Sequence, residues 1–327
     1  MNESLLNVRD LKVHFPVRVG GALIGKYRPL KAVDGVNLDL APGETLGIVG
    51  ESGCGKSTLG RAVLQLLPAT DGSVVWLGQN LAASDKAALK AVRQNMQIVF
   101  QDPLASLDPR MTVGDIIAEP VRNFYPQLTR AEVKARVNSM MDQVGLLPSM
   151  VNRYPHEFSG GQCQRIGIAR AMILGPKLVV CDEPVSALDV SIRAQVINLL
   201  MDLQQQFSLS MLFISHDLSV VRHISHRVMV LYLGRVMEAG PHASLYAAPR
   251  HPYTQALMSA VPIPDPDKER AKSRVILQAD PPSPLDPPSG CVFRTRCAKA
   301  TDICTQKVPE EETVASGHSV ACHHWRT

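Results

Sequence analysis

The sequence predicts an α/β fold, and three observations predict it. Short apolar runs alternate with amphipathic helical stretches along most of the 327 residues. One such run, Thr45-Leu46-Gly47-Ile48-Val49, enters the glycine-rich stretch Gly50–Ser57, GESGCGKS. Two further runs end in polar groups: Leu178–Cys181 before Asp182-Glu183, and Met211–Ile214 before Ser215-His216-Asp217. Polar residues at strand C-termini are where α/β sites collect.

The elements follow in order. Leu5 to Phe15 alternates apolar and polar residues and reads as a strand. Residues 16–30 carry Gly and Pro and read as a loop or ribbon. Val33, Val36, Leu38 and Leu40 mark a second strand, ending at Ala41-Pro42-Gly43. Leu59, Val63, Leu66 and Leu67 form the apolar side of the helix behind the glycine loop. Asp71-Gly72 is a turn signal before a short strand, Ser73–Leu77, and Met96–Phe100 is another strand ending at Gln101. Residues 104–158 change character and look mostly helical. There Thr129-x-x-Glu132 is a capping box that opens a helix to about Gln143. Ser159-Gly160-Gly161-Gln162 opens an amphipathic helix to about Leu174, and a long helix spans about Ile192–Gln205. Val228–Leu231 and Val236–Glu238, around Gly234-Arg235, read as a hairpin. His251–Val261 looks helical. Eleven of the 24 prolines fall between Pro241 and Pro288, so 262–290 reads as an extended linker before a cysteine-bearing tail, 291–327.

Composition narrows the class. Hydrophobic residues make up 45% and charged residues 20%, an ordinary globular balance. A net charge of +4, with no basic block interleaved with aromatics, does not point to nucleic acid. No apolar run is long enough to span a bilayer, and MNESLLNVRD lacks the pattern of a signal peptide, so a cytosolic protein is expected. Seven cysteines in a reducing compartment favour thiols, metal or cluster over disulfides.

Gly50–Ser57 fits G-x-x-x-x-G-K-[ST], a phosphate-cradling P-loop, and it has the strand–loop–helix context the motif requires. Gly50, Gly53 and Gly55 permit a tight turn that aims backbone N–H groups at phosphate oxygens, and the helix N-terminus adds favourable charge. Glu51, Ser52, Cys54 and Thr58 complete the cradle. Lys56 reaches the β- and γ-phosphates and the Ser57 hydroxyl ligates Mg²⁺. Asp182, delivered by a buried strand, holds Mg²⁺ directly or through water. Glu183 can polarise an attacking water as general base. His216 can bond the γ-phosphate, and the Gln101 amide can ligate Mg²⁺ or position water.

The P-loop, Gln101, Phe158-Ser159-Gly160-Gly161-Gln162, Leu178–Glu183, Ser186-Ala187-Leu188-Asp189 and His216 occur in the order of an ABC-type ATPase. The resemblance covers about residues 5–260. It implies a P-loop NTPase of ABC type with an inserted helical subdomain and a small cysteine-containing tail domain. The ATPase domain would occupy 1–260, with the helical and signature subdomain at about 102–170, the linker at 261–290 and the cysteine motif at 291–327. It further implies that two such domains face head to tail, each ATP gripped by one P-loop and the opposing Ser159–Gln162 signature. By the same resemblance Glu183 is the catalytic base, His216 the switch histidine, Gln101 the Q-loop glutamine and Asp189 the D-loop aspartate. Phe15 stacks on adenine, with Tyr27 as the alternative. Phe158 and Cys163 depart from the commoner residues at their positions.

Cys291, Cys297, Cys304 and Cys322 form C-x5-C-x6-C-x17-C. With His251-Pro252-Tyr253-Thr254 and Pro287–Cys291, this tail resembles that of oligopeptide/dipeptide importer ATP-binding subunits. The family implies a [4Fe–4S] cluster on the four thiols, and structural zinc is the alternative, with His323 or His324 as a possible substitute ligand. Cofactors ATP and Mg²⁺ follow. The expected partners are a second ATPase subunit, two membrane-spanning permease subunits and, indirectly, an extracytoplasmic peptide-binding protein. The expected place is the cytoplasmic face of the bacterial inner membrane. Competing readings are a soluble ABC ATPase on DNA or ribosomes, a nickel importer subunit, and a redox sensor using ATP as a structural ligand.

Overall fold

The computed structural model describes residues 4–20, 26–262, 265–271, 275, 277 and 279–326. Residues 21–25 of the expected loop or ribbon, and 263, 264, 272–274, 276 and 278 of the expected linker, lie outside the described residues. The chain divides into two compact units, one of 1–40, 46–82 and 216–327, the other of 41–45 and 83–215.

In the first unit, four antiparallel strands lie in the order Lys26–Leu40, Leu6–Val19, Asp71–Trp76, Gln79–Asn80. The first two strands run longer than the apolar alternation suggests. Pairing continues from Leu6↔Leu40 out to Val19↔Lys26, so the Gly- and Pro-bearing stretch is a ribbon rather than a loop. Pro16 and Pro29 face each other in it, an exposed position where two missing donors are tolerated. The same unit holds the strands Glu312–Ala315, His318–Val320, Arg235–Pro241, Arg227–Tyr232 and, from Leu46 on, Thr45–Val49, in that spatial order. Thr45–Val49 is parallel to Arg227–Tyr232 and the remaining neighbours are antiparallel.

The tail is therefore not a free appendage. Its strand His318–Val320 pairs with Arg235–Pro241, and His318 Nε2 meets the buried Glu238 carboxylate at 2.8 Å. Glu238 also accepts the backbone N–H groups of Arg250 and His251 at 2.8 Å each, so both oxygens of this buried carboxylate are hydrogen-bonded. The expected linker also needs correction, because it carries a short helix, Pro266–Ala271.

The second unit has three parallel strands in the order Ser210–Ile214, Leu178–Asp182, Met96–Val99. Every residue of Leu178–Asp182 and Ser210–Ile214 is buried, which is why their sequences are continuous apolar runs rather than alternating ones. The helices Val113–Phe124, Arg130–Gln143, Gly160–Met172 and Val190–Phe207 supply the predicted helical region and its flanks. The capping box is formed: Thr129 Oγ1 accepts from the Glu132 N–H, and Glu132 accepts from the Thr129 N–H at 2.7 Å. A groove of about 720 Å³ is lined by Thr112, Asp115, Arg122, Arg130 and Val137 among others. Among the described residues no helix is long and apolar enough to cross a membrane.

Candidate nucleotide site

In the first unit the glycine loop leads into the helix Lys56–Val63. Gly55 is the residue before that helix, with φ +106, and a Cβ there would collide with the Ala32 carbonyl oxygen. Only glycine fits, for both reasons. Lys56 is buried and folds back over the loop, donating to the carbonyls of Gly50 at 2.8 Å and Glu51 at 2.9 Å. Those two bonds keep the ammonium inside the ring of the loop, aimed inward. The loop is anchored from behind, since the Gly234 N–H donates to the Cys54 carbonyl at 2.9 Å. Burial raises the Cys54 pKa, with Lys56 opposing, so this thiol stays protonated and inert at neutral pH.

Glu51 has two contacts that the loop motif alone does not suggest. Its N–H donates to the Tyr253 hydroxyl at 2.9 Å, and its Oε2 accepts from Arg296 Nη1 at 2.8 Å. Tyr253 and Arg296 lie more than 200 residues downstream, and the only sequence signal for them was their place in the His251–Thr254 and cysteine motifs. Phe15 and Tyr27 both sit on the ribbon, opposite Leu30 and Arg18 respectively, and both are exposed. His216 is exposed just after the strand Ser210–Ile214.

In the second unit, Asp182 is the buried last residue of its strand. Glu183 follows with φ +48, a left-handed backbone that costs a non-glycine residue about 1–2 kcal/mol. Three bonds hold it there. The Glu183 N–H donates to the Ile214 carbonyl at 3.0 Å, its carbonyl accepts from Ser186 Oγ at 3.1 Å, and its Oε2 accepts from Gln101 Nε2 at 3.2 Å. Gln101 and Glu183, 82 residues apart, are thus brought together. The kink turns Glu183 off the line of the strand while Asp182 stays within it.

Ser159 caps the helix Gly160–Met172 in a second capping box. The Gln162 N–H donates to Ser159 Oγ at 3.4 Å, and the Ser159 N–H donates to Gln162 Oε1 at 3.0 Å. Ser159 and Gly160 are exposed, while Gly161 packs so closely that a Cβ would collide with Ile192 Cγ2. Cys163 is fully buried and its thiol donates to the Pro155 carbonyl at 3.4 Å, so the residue that departs from the usual pattern faces inward. Asp189 is exposed at the start of Val190–Phe207 and makes no capping bond.

The four tail cysteines lie within electrostatic reach of one another. Burial pushes the Cys291 thiol up to about 11, with the neighbouring thiols adding to the rise, and it raises Cys297 and Cys322 as well. The Cys291 N–H donates to the Cys304 carbonyl at 2.8 Å. Four cysteines are the right donor chemistry for iron–sulfur or zinc. Among the described residues no group of three or more His, Cys, Asp or Glu side chains stands placed to hold a metal ion. The expected cluster is thus not carried by the geometry. His323 and His324 turn elsewhere, to the Lys307 carbonyl and to Thr301 Oγ1.

Residues 33–186 match the ABC transporter family, and residues 237–304 match the oligopeptide/dipeptide transporter C-terminal region. The oligopeptide transport ATP-binding protein OppF of Escherichia coli is 59% identical over 319 residues, spanning 97% of this chain and 95% of the relative. This chain belongs to the ABC transporter ATP-binding proteins. The Bacillus subtilis oligopeptide transport ATP-binding protein AppF is 53% identical over 322 residues, 98% of this chain and 97% of its own. Among solved structures, a dimeric ATP-binding cassette in a post-hydrolysis state with ADP and Pi matches with a TM-score of 0.63 and 26% identity, over 72% of this chain and 98% of that one. CbiO1 of Clostridium perfringens, part of an ABC transporter complex, matches with a TM-score of 0.63 and 25% identity, over 75% and 91%. As an ABC ATPase the chain uses ATP, and its glycine loop and its Asp182-Glu183 strand end lie in the parts that match the family.

Proposed function

We propose that this chain is the peripheral ATP-hydrolysing subunit of an importer that carries oligopeptides across the bacterial inner membrane. The observation that carries the proposal is the near full-length likeness to oligopeptide transport ATP-binding proteins, tail included. The partners that fit are two permease subunits, a second ATPase subunit and, on the far side of the membrane, a peptide-binding protein. The helical groove beyond Gln101 is the candidate seat for the permeases.

In this reading the glycine loop, Gly50–Thr58, receives the phosphates, and Lys56 exchanges its two loop carbonyls for phosphate oxygens. Ser57, Gln101 and Asp182 offer hydroxyl, amide and carboxylate oxygens, the hard donors that Mg²⁺ takes, and the ion would neutralise phosphate charge. Phe15 or Tyr27 covers the adenine. Glu183 accepts the proton of the attacking water, its carboxylate already oriented by Gln101. His216 bonds the γ-phosphate. Ser159, Gly160, Gly161 and Gln162 form a second anion-binding helix start, whose exposed Ser159 and Gly160 face a nucleotide held by a partner ATPase, with the exposed Asp189 serving the same partner. ATP then joins the two ATPase subunits and hydrolysis releases them.

Glu183→Gln is the direct test. Turnover should fall by about 10²–10⁴-fold, the usual worth of a positioned general base, while ATP binding persists. Steady-state hydrolysis at the wild-type rate would remove Glu183 from that role. For the tail we propose iron–sulfur ligation, with zinc second, on donor chemistry alone. Iron, sulfide and zinc analysis of anaerobically purified protein decides it, and metal-free protein retires both.

A further inference from the structure

Glu51 is a carboxylate at the lip of a loop built for phosphates, where a second negative charge opposes binding. Its partner Arg296 belongs to the tail, one residue before Cys297. The Arg296 side chain is 6% exposed and that of Glu51 is 26%, so this is a largely buried pair rather than a surface one. That distinction decides its weight. Exposed pairs contribute little, whereas removing one partner of a buried pair leaves an uncompensated charge. Arg296 is itself pinned, with Nε donating to the Ala279 carbonyl at 3.1 Å and the guanidinium 5.9 Å from the Tyr232 ring centre.

The backbone of Glu51 is held from the same side. Tyr253, which takes its N–H, packs against Tyr232 at 4.8 Å and against the tail's Phe293 at 5.3 Å between ring centres. Phe293 also meets Tyr232 edge-on at 5.3 Å, and all three rings are buried. Tail, aromatic cluster and glycine loop thus form one packed unit around Glu51.

We propose that Arg296 is a positioning residue for the nucleotide: it neutralises Glu51 and tethers the glycine loop to the cysteine tail. The inference deepens the ATPase reading and rests on it for the ligand, Mg-ATP. Cys297 adjoins the tether, so a change of state in the tail bears on the loop through one peptide unit.

Two measurements on the full chain test it. By calorimetry, Arg296→Gln should weaken Mg-ATP binding about tenfold, within the usual range for coupled sites. Adding Glu51→Gln to it should restore much of the loss, because the uncompensated carboxylate is then gone. A merely structural arginine would show no such rescue. Affinity for Arg296→Gln within about twofold of wild type, or a double variant as weak as the single, overturns the proposal. The second measurement is amide hydrogen exchange of residues 50–55 without nucleotide, which should speed up in Arg296→Gln and in Glu51→Ala. Unchanged exchange in both overturns the tether, and Glu51→Ala alone decides it when Arg296→Gln does not fold. Wild-type protein that binds no Mg-ATP would sink the ATPase reading, and the exchange result would still judge the tether.

Discussion

At the scale of single residues, the candidate site side chains are held by bonds within the protein. Lys56 rests on two loop carbonyls and Glu183 is bound by three partners in a left-handed backbone. One buried residue also sets a pH dependence. Burial pushes His251 down to about 3, and its ring nitrogen accepts the Tyr253 N–H at 3.0 Å, so the folded protein keeps it neutral. The unfolded chain protonates it below about pH 6.5. Between these values the unfolded state binds the extra proton, so stability falls as pH drops from about 6.5 toward 3. His251→Asn, which retains a capping acceptor, should flatten that slope in denaturant titrations at pH 7 and pH 5. Parallel slopes for the variant and wild type would show that the histidine is not the titrating group. Cys181, pushed up to about 12 by burial in its strand, should resist thiol reagents in the folded protein for the same electrostatic reason.

At the scale of elements, helix starts do much of the positioning. Thr112, Thr129 and Ser159 each cap a helix of the second unit with a side-chain oxygen. Thr112 Oγ1 accepts from the Asp115 N–H at 3.2 Å and donates to the Asp115 carboxylate at 2.8 Å. Thr112→Ala should cost about 1 kcal/mol of stability in urea unfolding, the ordinary cost of a lost threonine cap, with the unfolding slope unchanged. An unaltered midpoint would mean that tertiary packing alone fixes the start of Val113–Phe124. The helix starts at Thr129 and Ser159 were legible because a capping box is a local pattern. The N-terminal ribbon was legible only as one of two readings, loop or ribbon, because pairing from Pro16 to Val19 depends on the partner strand Lys26–Leu40 rather than on alternation within either segment. The exposed partners on both sides give that ribbon no apolar period to read.

At the scale of the whole molecule, the candidate residues come from distant parts of the chain, the glycine loop from one unit and the acidic strand end and the Ser159 helix start from the other. On the proposed reading, the exposed Ser159 and Gly160 serve a partner's nucleotide. Ser159→Arg should therefore leave Mg-ATP binding by the isolated chain within about twofold. It should abolish ATP-dependent association with the sister ATPase in light scattering and cut turnover of the assembled transporter by about 10²-fold or more. A strictly monomeric Ser159→Arg protein hydrolysing ATP at the full rate would end the head-to-tail scheme.

Order of motifs along the chain by itself determined the α/β class, the phosphate loop, the acidic strand end, the signature helix and the kinship with peptide-importer ATPases. These are short-range patterns in which residue type and spacing already dictate backbone geometry and chemistry. Only the tertiary structure decided that Gln101 bonds Glu183, that Cys163 points inward, that the tail adds a strand beside Arg235–Pro241, and that Arg296 reaches Glu51. Such contacts join residues tens to hundreds of positions apart, and burial, charge pairing and the path of the chain select them, none of which a local run of amino acids encodes.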